Sequence, residues 1–463
     1  MDHILTIEQV RVATVELNPR NARTHSKTQI RQIAASIREF GFVSPILIDE
    51  GNKLIAGHGR LQAAKFLGHE SVPAIRIFHL SEAQKRALAL ADNKIAANAG
   101  WNIELLAKEL QFLCESDLDF DVSITGFAPA EIDLLIEDAK GIAADERADK
   151  LPLPRPDVTC VHRGDLWVLE RHRIYCGDAT SLPDYRHLLG RSRAALVFID
   201  PPYNVPIAGN VSGRGRFRHP EFSMASGEMS EPEFIAFLEA VIRNLVASSV
   251  DGSIHFICID WRHIGELLVA ARGAYTEIKN LCVWNKTNAG MGSLYRSKHE
   301  LVFVFKNGTA PHINNIELGR HGRYRTNVWD YAGLNSLQEG RASTLAMHPT
   351  VKPVALVADA ILDCSRRGDM VLDGFAGSGT TIIAAERTGR RAYAMEIDPR
   401  YVETAIRRWE DYTGETAVHA ETGQTLPAIR EVRRREVELG GPDEVGVSES
   451  GGVPVPLKDC NDV

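Results

Sequence analysis

Ala194-Ala195-Leu196-Val197-Phe198-Ile199 is an unbroken apolar run between Arg193 and Asp200. Apolar residues at every position, rather than every second one, describe a strand covered on both faces, which means a parallel sheet sandwiched between helices. The run ends in Asp200-Pro201-Pro202-Tyr203, where two prolines lack the N–H groups a ladder needs and stop the strand. A carboxylate, proline carbonyls and an aromatic ring are thereby set at the carboxyl end of a core strand, the end at which open α/β sheets take ligands. A flat ring bearing an amino group can stack on Tyr203 while its NH2 donates to Asp200 and a proline carbonyl. A polar turn after a buried strand explains any one of these residues, but seldom all four in succession.

A second pattern lies near the other end of the chain. Asp369 to Asp373 reads as a strand that turns through Gly374-Phe375-Ala376-Gly377-Ser378-Gly379-Thr380-Thr381 into a helix, and Arg391 to Ile397 as the next strand, carrying Glu396. Strand, glycine turn, helix and an acid at the end of the following strand make a nucleoside-binding arrangement. Glycines admit the backbone close to a ligand, and Glu396 can accept from both ribose hydroxyls. A Walker loop requires Lys after its last glycine, where Thr380 stands, and a dinucleotide fingerprint requires a third glycine, where Ile382 stands. A nucleoside without a phosphate chain remains, and S-adenosylmethionine fits.

At 463 residues the chain is long enough for two or three domains. With 44% hydrophobic and 25% charged residues it has the composition of a globular protein. No apolar run reaches membrane-spanning length, and the seven cysteines include no Cys-x-x-Cys pair. A cytoplasmic protein without a metal site is expected. The net charge of −8 argues against indiscriminate coating of nucleic acid.

Five segments are read along the chain. Residues 1–80 alternate short strands and helices, with a turn at Asn18-Pro19-Arg20 and a glycine turn at Gly57-His58-Gly59-Arg60 opening a helix. Residues 81–140 are helical, fit for DNA contact or for plain packing, and 141–157 form a polar, proline-bearing linker. Residues 158–415 hold both patterns above. Residues 416–463 read as a mostly disordered polar tail. Val205 to Glu228, with Arg214, Arg216 and Arg218, reads as a mobile loop, and Lys306 to Thr344, with Arg320, Arg323 and Arg325, as a basic one.

Asn18-Pro19-Arg20, the Ser44-Pro45-Ile46-Leu47-Ile48 strand and Gly57-x-x-Arg60 resemble the ParB/sulfiredoxin-like N-terminal domain. In that superfamily the glycine turn and helix bind nucleotide phosphates, which would place a nucleotide at Gly57 and Arg60. The chain has Gly59 and Gln62 where ParB proteins have further arginines, so a role in DNA contact or assembly is expected instead. Sulfiredoxins have a reactive cysteine where His58 stands, which excludes their chemistry.

Residues 158–415 resemble the amino-group DNA methyltransferases, in the β ordering with the catalytic motif first. The resemblance implies a Rossmann-like α/β fold with permuted motifs, S-adenosyl-L-methionine as cofactor and double-stranded DNA as partner, and leaves a homodimer open. It is a family of restriction–modification enzymes. Asp200-Pro201-Pro202-Tyr203 matches its catalytic motif. Phe375-Ala376-Gly377-Ser378-Gly379, with Asp373 and Thr380 beside it, and Glu396 match its cofactor motifs. Asp178 matches the acid that contacts the cofactor adenine, and Lys352, in His348-Pro349-Thr350-Val351-Lys352-Pro353, the motif leading the cofactor subdomain. An initial Asp is the usual form in adenine-N6 enzymes, so an extruded adenine is the expected target. Cytosine-N4 transfer and a non-catalytic ParB-like DNA-binding factor are the alternatives. The arginines at 214, 216, 218, 320, 323 and 325 are expected to contact DNA.

Overall fold

A computed structural model describes residues 5–116, 118–140, 147–152, 159–205, 227–287, 294–316, 323–333 and 351–438. Its amino-terminal part is a four-stranded sheet in the order β1-β4-β2-β3, built from Ile7–Arg11, Ile46–Ile48, Leu54–Ala56 and Ser71–Arg76. Helix α2 (His58–Leu67) packs on it and α1 (Lys27–Phe40) packs on α2, and α1 starts where the Ser26 side chain accepts from the Gln29 N–H. Helix α3 (Glu82–Ala97) begins in a capping box of Ser81 and Gln84. Helices α4 (Ile103–Glu115) and α5 (Pro129–Lys140) bury Leu110, Ile132 and Ile136 between them.

Asp133 of α5 ties this helical pair to the rest of the protein. Its carboxylate takes two hydrogen bonds of 2.7 Å from the Arg390 guanidinium, and Arg367 stands 3.3 Å away. Asp133 and Arg390 are both buried. Fixing an arginine fork on a carboxylate is directional as well as strong.

The remainder is built on a ten-stranded sheet in the order β11-β9-β10-β8-β7-β12-β13-β6-β5-β14. Its strands are β5 (Leu166–Leu169), β6 (His172–Cys176), β7 (Ala194–Ile199), β8 (Ser249–Ile259), β9 (Glu277–Asn285), β10 (His299–Lys306), β11 (Val328–Asp330), β12 (Met370–Asp373), β13 (Arg391–Glu396) and β14 (Val418–His419). The central run β8-β7-β12-β13-β6 is parallel, while β10 lies antiparallel to β8. Strand β7 has the predicted two-sided burial. Leu196 and Phe198 enter one core with helices α9 (Val354–Cys364), α10 (Thr380–Thr388) and α11 (Pro399–Thr413). Val197 and Ile199 enter the other, with α6 (Leu182–Leu189), α7 (Glu231–Ala247) and α8 (Ile264–Ala271).

Strands β7 and β12 are neighbours in space but far apart in sequence, with Leu196 opposite Val371 and Val197 opposite Leu372. The chain leaves β7 through α7 to β8 on one side, and leaves β12 through α10 to β13 on the other. The two connections use opposite faces of the sheet, so a crevice opens between the carboxyl ends of β7 and β12, a topological switch point.

Two expectations need correction. The segment after residue 416 is not wholly a disordered tail, because β14 pairs with β5 and helix α12 (Leu426–Glu438) buries Leu426 and Ile429. Arg433 of that helix donates to Asp165 at 2.8 Å through Nη2. Its charged surface hid an apolar stripe only three or four residues apart. Residues 439–463 lie outside the described residues. The linker is also partly bound: Ala148 is buried, its carbonyl accepts from Arg408 at 2.9 Å, and Asp149 accepts from the Val354 N–H at 2.9 Å. Among the described residues no helix is long and apolar enough to cross a membrane.

Replacing Asp133 with Ala would strand two buried guanidinium groups. The expected loss of stability is about 3–5 kcal/mol, measurable by chemical denaturation. A loss below about 1 kcal/mol, the range of an exposed pair, would mean that the helical pair is not held this way.

Candidate active site

The crevice contains a cavity of ≈ 130 Å³ lined from both strand ends. One wall is Asp200, Pro201, Pro202 and Tyr203, and the other is Asp373, Gly374, Phe375, Ala376, Gly377 and Ser378. Glu396, Asp398 and Tyr401 close one end, together with Gly177 and Asp178 after β6.

Both oxygens of Asp200 are engaged. Oδ1 accepts from the Tyr203 hydroxyl, and Oδ2 accepts from Lys352 Nζ at 2.5 Å. Lys352 is itself shared, because its ammonium lies 2.9 Å from Glu300 Oε2. Lys286 then pairs with the other Glu300 oxygen. Burial raises the Asp200 carboxyl above its ordinary range, partly offset by Lys352. For Glu300 burial acts in the same sense, but Lys352 and Lys286 override it and hold the carboxyl down at about 2. Burial works against the Lys352 ammonium, and the two carboxylates more than compensate, holding its pKa above the usual lysine value.

On the other wall the glycine turn is held open from within. Asp373 Oδ1 accepts from the Phe375 N–H at 2.8 Å and Oδ2 from the Thr381 hydroxyl at 2.6 Å. Burial pushes its carboxyl up to about 7 in spite of both donors. Gly379 has φ 82°, and a Cβ there would come 2.8 Å from the Ala405 Cβ, so only glycine lets the turn press on α11. At Gly374 a Cβ would meet the Tyr185 hydroxyl at 2.7 Å. Glu396, raised by burial, accepts from the Gly377 N–H at 2.8 Å and the Asp398 N–H at 3.0 Å. A carboxylate has about four acceptor positions, so capacity for a diol remains. Asp178 Oδ1 accepts from the N–H and the hydroxyl of Thr180, both at 2.8 Å.

These geometries coincide with what models of known families recognise in the sequence. Residues 194–407 match a family described as DNA methylase, of the N6/N4 methyltransferases. Residues 2–94 match the ParB N-terminal domain and 104–161 a ParB-methyltransferase HTH domain. The chain carries an N6/N4 DNA methyltransferase domain behind a ParB N-terminal domain. Among its relatives, the DNA adenine methyltransferase YhdJ of Escherichia coli K12 is 26% identical over 278 residues, 52% of this chain and 86% of YhdJ. The ParB-like nuclease domain-containing protein YnaK of the same organism is 49% identical over 73 residues, 15% of this chain and 84% of YnaK. The solved M1.HpyAVI–SAM complex superposes with TM-score 0.38 at 20% identity, covering 51% of this chain and 97% of that one.

The enzyme takes S-adenosyl-L-methionine as cofactor, and the crevice fits it. Glu396 offers acceptors for ribose hydroxyls, Asp178 an acceptor for an adenine amino group, and the Gly374–Gly379 turn a close backbone approach. Three of the expected cofactor-binding residues line the cavity while their side chains engage other protein groups. Ser378 and Thr380 line the cavity, but their hydroxyl oxygens accept from Arg408 Nη1 at 3.2 and 3.1 Å, bracing α11 against the turn. Lys352 also lines the cavity, with its ammonium on Asp200.

Arg323 and Arg325, expected on DNA, are a correction. Arg323 Nη2 donates to Asp363 at 2.8 Å and Arg325 Nε to the same carboxylate at 3.1 Å, with Asp359 as a second partner of both. Their partly buried guanidinium groups lie on α9, where two acids one helical turn apart make a receptor for them. Arg214, Arg216, Arg218, Arg320 and His348 lie outside the described residues. In the ParB domain Gly57 has φ 96° and packs on Ile46, while Arg60 Nη2 donates to the Pro45 carbonyl at 3.2 Å. The arginine thereby braces its own turn.

Glu300 escaped the sequence reading. In a parallel sheet polar site residues follow strands, whereas β10 runs antiparallel and brings its beginning to the same edge. The polar residue opening an apolar strand was the available signal.

Asp373 generates a pH effect with a definite sign. Its folded-state pKa of about 7 lies above that of an unfolded aspartate, so the folded chain keeps a proton the unfolded chain has lost. Stability from this group is therefore present below about pH 4 and lost as pH rises to 7. The difference between wild type and Asp373→Asn, measured by denaturation without cofactor, should decline across that window by on the order of 4 kcal/mol. A flat difference would mean that Asp373 ionises like a surface carboxylate.

Proposed function

We propose that this DNA methyltransferase acts on the exocyclic N6 of an adenine swung out of duplex DNA. The observation that carries this reading is the placing of Asp200 and Tyr203 on one wall of a cavity whose other wall is the glycine turn. An amino group stacked and paired inside a duplex cannot enter such a crevice, so the target nucleotide must leave the stack. Aspartate at position 200, the usual form in adenine-N6 enzymes, and the adenine activity in YhdJ's name support adenine over cytosine.

The geometry supports a role for each residue. Tyr203 stacks on the extruded ring. Asp200 and the Pro201 carbonyl accept from the NH2 and direct the nitrogen lone pair toward the cofactor turn. When bound, S-adenosyl-L-methionine supplies a methyl group on a positively charged sulfur. Holding both reactants in line removes most of the entropic barrier. As the nitrogen takes the methyl group it becomes positive, the carbon–sulfur electron pair returns to sulfur, and Asp200 steadies the charge and receives the departing proton. No covalent intermediate on the enzyme is needed. Glu396, Asp178 and the backbone of Gly374–Gly379 hold the cofactor, and the ParB domain contacts DNA or assembles copies of the chain. The cytoplasm is the site of action.

The reading is tested by incubating methylation-free DNA with labelled cofactor and digesting the product to nucleosides. N6-methyladenosine is expected in deoxy form; label in N4-methylcytosine would move the enzyme to the other branch of its family. Asp200→Ala should reduce transfer by about 10²–10³-fold or more while cofactor affinity is retained. Tyr203→Ala should cost about 1–3 kcal/mol of binding to the extruded base, and Tyr203→Phe, which keeps the ring, should stay near wild type. If Phe and Ala are equally impaired, the ring does not act by stacking.

A further inference from the structure

Lys352 Nζ lies between two carboxylates, 2.5 Å from Asp200 and 2.9 Å from Glu300, and between two aromatic rings, 5.6 Å from the Tyr203 centroid and 5.8 Å from that of Trp284. Only 4% of its side chain is exposed. Lys286 completes the row: it pairs with Glu300, stands 4.6 Å over the Trp284 ring and is 28% exposed, so it reaches solvent. The row runs from bulk water to the acceptor carboxylate through charges of alternating sign. A lone Lys352 beside Asp200 would form a neutral pair, poorly suited to a nitrogen that turns positive. With Glu300 on the other side, the buried ammonium is shared between two carboxylates and does not neutralise Asp200 alone. The same arrangement fixes the direction of the Asp200 oxygens.

We propose that Glu300 is a positioning residue for methyl transfer: by taking a share of the Lys352 ammonium it fixes the direction of the Asp200 carboxylate and keeps that lysine from neutralising Asp200 alone. This rests on Asp200 being the acceptor of that amino group. Tyr203 and Lys352 touch Asp200 directly, and Glu300 from β10, Cys258 from β8 and Asp373 from β12 face it as further titratable groups. Removing the negative charge of Glu300 makes Asp200 easier to ionise, and removing the positive charge of Lys352 or Lys286 makes it harder. Loss of mere packing does neither.

The experiment is the single-turnover rate of methyl transfer against pH for wild type, Glu300→Gln, Lys352→Gln and Lys286→Gln, with cofactor and DNA affinities measured alongside. For Glu300→Gln a plateau rate lower by about tenfold or more is expected, with the acid limb displaced to lower pH and affinities within about threefold. For Lys352→Gln and Lys286→Gln the acid limb moves to higher pH, less far for Lys286. Glu300→Asp, which keeps the charge, should leave the limb in place. Acid limbs that stay put, or move in one direction for all three Gln variants, overturn the proposal. If Glu300→Gln does not fold, as judged by lost cofactor binding, the more exposed Lys286→Gln decides: an upward shift supports the proposal and an unmoved limb overturns it. Wild-type transfer by Asp200→Asn overturns both the acceptor reading and this proposal, whereas loss of transfer there with unmoved limbs overturns this proposal alone.

Discussion

The pairing of β7 with β12 is the contact on which the rest depends. Leu196 and Val197 lie against Val371 and Leu372, joining segments that begin more than a hundred residues apart and departing to opposite faces. A crevice at that point follows from chain geometry before any side chain is considered. Residues of each strand alternate between two separate cores, so a slip of one residue in register would turn every buried group to the wrong layer. The distance between Asp200 and the glycine turn is thus set by the packing of both faces.

Polar groups at this junction are costly to bury and are compensated locally. Asp373 is satisfied by one backbone and one hydroxyl donor, Glu396 by two backbone N–H groups, and Asp200 by Tyr203 and Lys352. Breaking one partner of such a group leaves a buried charge alone, which is worse than losing the pair. The site is therefore rigid where the ligands are held. Asp200 already has both oxygens occupied, so an incoming amino group must replace the Tyr203 hydroxyl or share the carboxylate with it.

Much of this was legible in the sequence because it rests on local patterns. The apolar run closed by Asp200-Pro201-Pro202-Tyr203, and the turn from Gly374 to Thr381, each announce strand, terminus and chemistry within ten residues. What could not be read depends on which distant residues meet. Arg323 and Arg325 looked like DNA contacts because positive charge in a loop is ambiguous until Asp359 and Asp363 are found beneath it. Glu300 was hidden by the antiparallel sense of β10. Helix α12 was masked by its arginines, two of which, Arg430 and Arg433, pair with Glu403 and Asp165 of the core. Asp133 looked like one more helix-surface acid, yet it fastens the helical pair to Arg390, linking the region matched by the HTH domain to the strand that carries Glu396.

The central claim is that the crevice between β7 and β12 brings a target adenine and the methyl donor together. A structure of the enzyme with demethylated cofactor and a duplex containing its methylation site, mapped beforehand, measures this directly. The account predicts an extruded adenine with its amino nitrogen about 2.7–3.2 Å from an Asp200 oxygen, its ring on Tyr203 and the cofactor ribose on Glu396. An adenine left in the helix, or a base whose amino group contacts neither Asp200 nor the Pro201 carbonyl, would contradict it.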